Sequence, residues 1–326
     1  MRKGIFVGLI CIGVFIWQLQ AAVAKEIVLK FGHKTAIGGL MDRQANKFKE
    51  LVEKRSDGQI KIQVYPANQL GKQRDQLEGV SAGYIDIFME GVGSVAQFDK
   101  DMSFFSADFM FKSVEQMKKN PMFNEVLERI RKRNGIRTLM VEGSRAPFHA
   151  WTIKKPIHSL EDLQGLKFRA LPTKASVEVW NGLGANATMI PWDEVYMALA
   201  QGVLDGMTHN VVQVKDEKFY ETLKYVALIA YPLPASTNAI FINDAKFSSF
   251  SPDVQKMMKE AAKEAGEYFT EMTKNEEENA WNIIKEAGIE LIEVDPDPWY
   301  QKAASVHKKM EERGDWSKGL IEKKGN

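Results

Sequence analysis

The side chains best suited to chemistry are thinly spread along this chain. Its five histidines, His33, His149, His158, His209 and His307, lie far apart and show no metal-ligand spacing. A carboxylate pair such as Glu90 and Asp205 could divide acid and base work, but nothing in the spacing singles it out from the 43 acids. Neither HExxH, nor a Walker phosphate loop, nor a GxGxxG string is present. The informative residue is Arg169, in "LKFRALPT". A two-residue period sets Leu166, Phe168 and Ala170 on one strand face and Lys167, Arg169 and Leu171 on the other. Arg169 therefore turns away from the more apolar face, toward solvent, an internal carboxylate or a cleft. A guanidinium there can grip a carboxylate or a sulfonate with two parallel charge-assisted hydrogen bonds. Facing an open cleft, it would add little to the stability of the empty protein.

The elements that must position Arg169 follow from periodicity. "EIVLKFGH", "QIKIQVY" and "YIDIFMEG" have strand patterning and alternate with helical stretches at 38–56 and 69–83, which predicts a mainly parallel sheet covered by helices. A second strand–helix series runs through "FHAWTI", "LKFRALPT", "KASVEVWNGLG", "ATMIPWDEVYMALAQG" and "VLDGMTHN", with Ser159 and Asp162 set to cap a short helix. In open sheets of this kind ligands settle beyond the carboxyl ends of the strands, where Pro172, "IPW" and "MTHN" fall. From Ser251 to Gly288 one helical pattern persists, with Ser251 as N-cap and Pro252 in the first turn. Such a helix of about 35 residues would run ~50 Å.

Composition narrows the classes. Residues 1–24, two basic residues, an apolar run and the small pair Ala22 and Ala24, predict an export signal cleaved after Ala24. Cys11 lies inside the apolar run behind bulky Ile10, which argues against lipidation. It is the only cysteine, so the chain beyond residue 24 has neither disulfides nor thiolate chemistry. With 44 basic and 43 acidic side chains the chain is nearly neutral and carries no charge footprint for nucleic acid.

Four segments, "NQLGKQRDQLEGVSAGYIDI" (68–87), "LQGLKFRALPT" (163–173), "GANATMIPWDEVYMALAQGVLDG" (184–206) and "KFYE" (218–221), resemble the extracytoplasmic solute-binding proteins of tripartite ATP-independent periplasmic (TRAP) transporters, DctP type. The resemblance runs from about Glu26 to Asp297. It implies an α/β fold of two lobes, the type II-like periplasmic binding protein, with a ligand cleft between the lobes and a long helix spanning both. Residues 25–148 would form the first part of one lobe, 149–234 the second lobe, and 235–326 a return to the first. That return would include the helix at about 251–287 and a C-terminal segment packing on both lobes.

The implied function is capture of a small organic anion in the periplasm and its delivery to the membrane subunits of a transporter, by a monomer without cofactor, metal or catalysis. The resemblance assigns the anion to Arg169. The aromatic position that lines the pocket in many members falls on Trp192, and the ligand-touching asparagine falls on His209, with Asn210 beside it. Glu90 and the stretch His33 to Thr35 would border the cleft, and Asn238 is a further polar candidate. Sialic-acid-binding members carry a second arginine twenty residues before the first, where this chain has His149, which argues against a sialic-acid pocket. His209 could change its charge near neutral pH. Two rivals remain: a secreted hydrolase or lyase using Glu90 or His209 as general base, and a sensory protein handing its ligand to a receptor.

Overall fold

The computed structural model describes residues 26–324; the expected export signal lies outside the described residues. The chain opens with β1 (Ile27–Gly32), α1 (Leu40–Arg55), β2 (Ile60–Tyr65), α2 (Gln73–Ala82) and β3 (Ile87–Gly91). Three helices follow, α3 (Met102–Phe105), α4 (Val114–Lys119) and α5 (Pro121–Asn134), before β4 (Ile136–Val141). In α1 the buried Leu40, Met41, Ala45, Phe48, Leu51 and Val52 recur at helical spacing and form the face laid on the sheet. Helix α5 has both ends written in its sequence: the Asn120 side chain accepts from the Met122 N–H, Pro121 enters the first turn, and Gly135 closes the helix at φ +65°.

The chain then builds β5 (Phe148–Thr152), β6 (Lys167–Ala170), α6 (Lys174–Leu183), β7 (Asn186–Met189), α7 (Val195–Ala200), β8 (Gly206–Asn210), α8 (Val211–Asp216) and β9 (Tyr225–Tyr231). It ends with β10 (Asn238–Asn243), α9 (Asp244–Ser248), α10 (Pro252–Glu286), β11 (Glu290–Ile292) and α11 (Asp297–Arg313).

Two sheets result, ordered β2-β1-β3-β10-β4 and β11-β9-β5-β8-β6-β7. Neither is all parallel. In the first, β10 runs antiparallel to both β3 and β4, and in the second β5 runs antiparallel to β8 and β9. These are the strands on which the chain arrives after passing between sheets, at 142–147 and 232–237, so each enters its new sheet against the local strand direction. Alternation alone, which predicted mainly parallel pairing, does not register such crossings.

Helix α10 spans 35 residues, and the Ser251 hydroxyl accepts from the Val254 N–H at its start. It packs on α1 and β4 of the first sheet and on α8, which follows β8 of the second. Trp281 near its end stacks on Trp151 of β5 at 5.9 Å. The segment after α10, in which the sequence reading placed no strand, adds β11 to the edge of the second sheet and lays α11 on α6, where Trp299 meets Trp180 edge-on at 6.0 Å.

Candidate functional site

The carboxyl ends of β1, β3, β6 and β7 open onto one gap between the sheets. They deliver Lys34, Arg169 and the Ile190–Pro191–Trp192 corner to a cavity of about 510 Å³, a volume suited to a small molecule, with Glu90 beside it. Lys34, Ser94, Gln97, Arg169, Thr173 and Trp192 are among its polar or aromatic lining. A small annex, bordered by Lys34, Glu90, Ser94 and Arg145, adjoins it. Gly93 lets the turn after β3 come this close, because a Cβ there would stand 2.7 Å from the Ser106 hydroxyl and 3.0 Å from the Ala235 methyl. At the mouth Lys72 meets Glu194 at 2.6 Å, both half exposed.

Arg169 sits on β6, a strand hydrogen-bonded between β7 and β8. Phe168 stacks on Trp180 at 4.4 Å and anchors the strand, while alternation turns Arg169 to the opposite side, its guanidinium carbon 5.4 Å from the Trp192 ring. The arginine is only 1 % exposed, and its Nε and Nη1 have no hydrogen-bond partner. Burial lowers it to about 10, so it stays charged at neutral pH. The expectation of an open, hydrated arginine is therefore corrected: the strand is covered on both faces, and the guanidinium is desolvated before any ligand arrives.

Beside it lies a buried charge cluster. The Glu90 carboxylate meets Lys34 at 2.8 Å through Oε2 and Arg145 at 3.2 Å through Oε1, and accepts from the Gly91 N–H. Burial, the largest single influence, pushes Glu90 up, but Lys34 and Arg145 together bring it below the ordinary carboxylate value. Arg145 further donates to Asn238 Oδ1 at 2.7 Å and to Gln213 Oε1 at 2.9 Å, which ties β10 to α8. Burial lowers Arg145 and Lys34 alike.

Trp192 lines the cavity and fixes its ring by donating Nε1–H to Glu217 Oε1 at 3.0 Å. His209 does not line the cavity. Its ring lies behind Trp192, 4.6 Å from that ring and 5.1 Å from Phe148, and its Nδ1 accepts from the Asn210 N–H. Burial, then Arg169, Arg145 and Lys34, hold it well below the ordinary histidine value, so it is neutral at pH 7 and does not switch there.

The remaining expected residues separate by position. Glu90 borders the annex, and Asn238, fully buried, holds Arg145 and donates to Gln44 one layer behind. Asn210 is spent on the N-cap of α8, accepting from the Gln213 N–H and donating to Gln213 Oε1. His33 is buried against Asp42 and Thr35, away from the cavity lining. His149 faces a separate surface cavity with Trp281 and Leu228, and accepts from the Ala230 N–H. The second arginine of the cleft is instead Arg145, four residues earlier, where the chain has not yet entered β5. Sequence reasoning also passed over Lys34, although it stands inside the stretch His33 to Thr35 just past a strand end. One GxSxG string, Gly79 to Gly83, does occur, but it closes α2 and its Ser81 hydroxyl donates to the Asn134 carbonyl at 2.6 Å, so it is no nucleophile elbow.

Among the described residues no group of three or more His, Cys, Asp or Glu side chains could hold a metal ion. The arrangement can hold an anion: donors converge from both sheets, and the carboxylate among them is engaged by two cations.

The family of bacterial extracellular solute-binding proteins, family 7 (DctP), matches residues 31–313. The 2,3-diketo-L-gulonate-binding periplasmic protein YiaO of Escherichia coli (strain K12) is 28 % identical over 274 residues, 81 % of this chain and 80 % of the relative. The C4-dicarboxylate-binding periplasmic protein DctP of Rhodobacter capsulatus is 27 % identical over 303 residues, 90 % of this chain and 89 % of the relative. Among solved structures, a TRAP periplasmic solute-binding protein from Ochrobacterium anthropi with bound L-fuconate superimposes with a TM-score of 0.83 at 30 % identity, covering 92 % of this chain and 98 % of the other.

Proposed function

We propose, from the premise that the chain belongs to family 7 of bacterial extracellular solute-binding proteins, that it captures a small organic anion in the periplasm and delivers it to the membrane subunits of a TRAP transporter. One observation carries this reading: a buried arginine, Arg169, with two unpartnered donors beside a cavity large enough for a small molecule. A desolvated cation with unfilled donors is costly unless an anion completes it.

Arg169 holds the anionic head, Trp192 covers it, and Glu90, Lys34 and Ser94 face the remaining polar groups. Arg145 and Asn238 keep Glu90 in place, and His209 backs the Trp192 ring. Capture works by closure of two lobes, one built on each sheet: residues from about 25 to 148 and from 235 in the first, 149–234 in the second, α10 bridging them. We place β11 and α11 with the second lobe, whose sheet and helix they join. Residues 1–24 export the chain and are then removed.

The relatives narrow the first compounds to try. 2,3-Diketo-L-gulonate and L-fuconate are hydroxylated six-carbon acids, and this pocket has the hydroxyl and carboxylate groups to read such a chain. Catalysis finds less support, because Glu90 is engaged by two cations and His209 lies behind Trp192. Mass spectrometry of the purified protein, followed by calorimetric titration of whatever compound it carries, tests the reading. An anion recovered unchanged and rebound stoichiometrically is the expected result; product formation, or no heat with any organic acid, overturns it.

A further inference from the structure

Lys34 stands where the cavity and its annex join and lines both. Its ammonium lies 5.2 Å from the Trp192 ring, which has the Arg169 guanidinium 5.4 Å away, so two cationic heads flank one indole. Lys34 and Arg145, with buried side chains, share one buried carboxylate, Glu90, while the buried Arg169 pairs with no carboxylate among the described residues. Arg145 fills its donors with Glu90, Asn238 and Gln213, which leaves Lys34 and Arg169 as the cations still open to the cavity.

Asp108 accepts from the Trp180 indole and the Tyr231 hydroxyl, and Glu217 accepts from Trp192 while lining a different cavity. At the rim Lys72 pairs with Glu194, Arg74 with Glu78 and Lys174 with Asp315, and Asp193 lies exposed. With Glu90 ionised, Lys34 and Arg145 both pair with it and Arg169 pairs with no carboxylate among the described residues, so cationic heads outnumber carboxylates at the inner site; Asp108 toward Arg169 and Glu217 toward Lys34 act only from a distance. A monoanion would meet one of the two cationic heads that face the cavity, Arg169 and Lys34, whereas a ligand with two anionic groups meets both.

We propose that Lys34 is a specificity-determining residue that takes a second anionic group of the ligand, so that the site selects dianions, such as dicarboxylates and phosphate monoesters, over the matching monoanions. This rests on the reading of the cleft as an anion-capture site.

The test uses matched pairs titrated calorimetrically into the whole protein: galactarate against galactonate, succinate against butyrate, and glycerol 3-phosphate against glycerate. In the pair that binds best, the dianion should bind at least about tenfold tighter. Lys34→Gln should erase that preference by weakening the dianion about tenfold or more beyond whatever it costs the monoanion. Lys34→Arg should keep it. Thermal unfolding of each empty variant checks that the fold is intact, and the wild-type ranking decides alone if Lys34→Gln does not fold. Equal or tighter binding of the monoanion in every binding pair, or an equal loss of both partners in Lys34→Gln, overturns this inference while leaving anion capture standing. Binding of none of the six compounds by wild type while other organic monoanions bind also overturns it. Failure of every organic anion removes the capture reading itself.

Discussion

Arg145 and Glu90, 55 residues apart in sequence, meet at 3.2 Å at the point where the chain leaves the first sheet for the second. The pair is buried on both sides, and Asn238 and Gln213 complete the arginine. It joins β3 to the link at 142–147, and through Gln213 to α8. A cleft residue is thereby also part of the joint between the sheets.

Removing the arginine would leave Glu90 buried with Lys34 as its one cationic partner and the Asn238 amide oxygen without its donor. Arg145→Met should therefore destabilise the protein by about 3 to 5 kcal/mol. Arg145→Lys should fall between, since it keeps the charge and loses the fork. Urea unfolding followed by circular dichroism measures both; a Met variant as stable as wild type would make this pair incidental.

Trp192 predicts a spectroscopic signal. It is the tryptophan lining the cavity, its N–H is given to Glu217, and cations lie near its ring on the cavity side. Ligand binding should change intrinsic fluorescence, and Trp192→Phe should abolish most of that change. Affinity should drop only several-fold, corresponding to about 1 kcal/mol of lost aromatic and cation–π contact. A full fluorescence response in Trp192→Phe would put the ligand elsewhere.

How much of this was readable beforehand depended on whether a residue's role is set locally. Ser251 and Pro252 start α10, and Pro172 and the alternation in "LKFRAL" aim Arg169, because caps, prolines and strand periods act over a few residues. Trp192 follows a strand end by three positions and could be found the same way. Arg145 could not. It sits in a link without periodicity, and its role comes from Glu90, Gln213 and Asn238, which only the tertiary fold brings together. His149 occupies, by its distance from Arg169 in the chain, the place of a second arginine, but the strand carries it to the Trp281 side. The three residues of β11 were too short a run to register as a strand.

Four histidines predict the acid response. His33, His149, His209 and His307 are all lowered, in each case first by burial, with His149 and His307 at about 4. The unfolded chain takes up these protons near the ordinary histidine value, and the folded chain resists. Stability is thus fully present above about pH 6.5 and falls as the pH drops toward 4, by up to about 1.4 kcal/mol per pH unit for each histidine. Urea midpoints at pH 7.5, 6 and 5 should decline in that order. His149→Phe should flatten the decline and leave ligand affinity within about twofold, because the ring is outside the cleft. A flat profile would mean that these rings are not held neutral by the fold.

Arg169 should separate binding from stability more sharply than any other position. In the empty protein its charge is buried, two of its donors are unfilled, and the nearest aromatic face, at 5.4 Å, offers partial compensation. Arg169→Met removes the charge and keeps much of the volume, so the empty protein should unfold at the same or a higher temperature, with a gain of about 1 kcal/mol or more. With ligand the sign reverses. An anion enclosed without its fork loses about 2 to 5 kcal/mol, roughly thirtyfold to a few thousandfold in affinity. Arg169→Lys should also bind more weakly than wild type, since an ammonium cannot supply two parallel bonds to one carboxylate. Scanning calorimetry of each variant without ligand, then titration of the ligand recovered from wild type, resolves the two effects. If Arg169→Met loses stability while keeping affinity, the arginine is a structural residue and the anion is held by other groups.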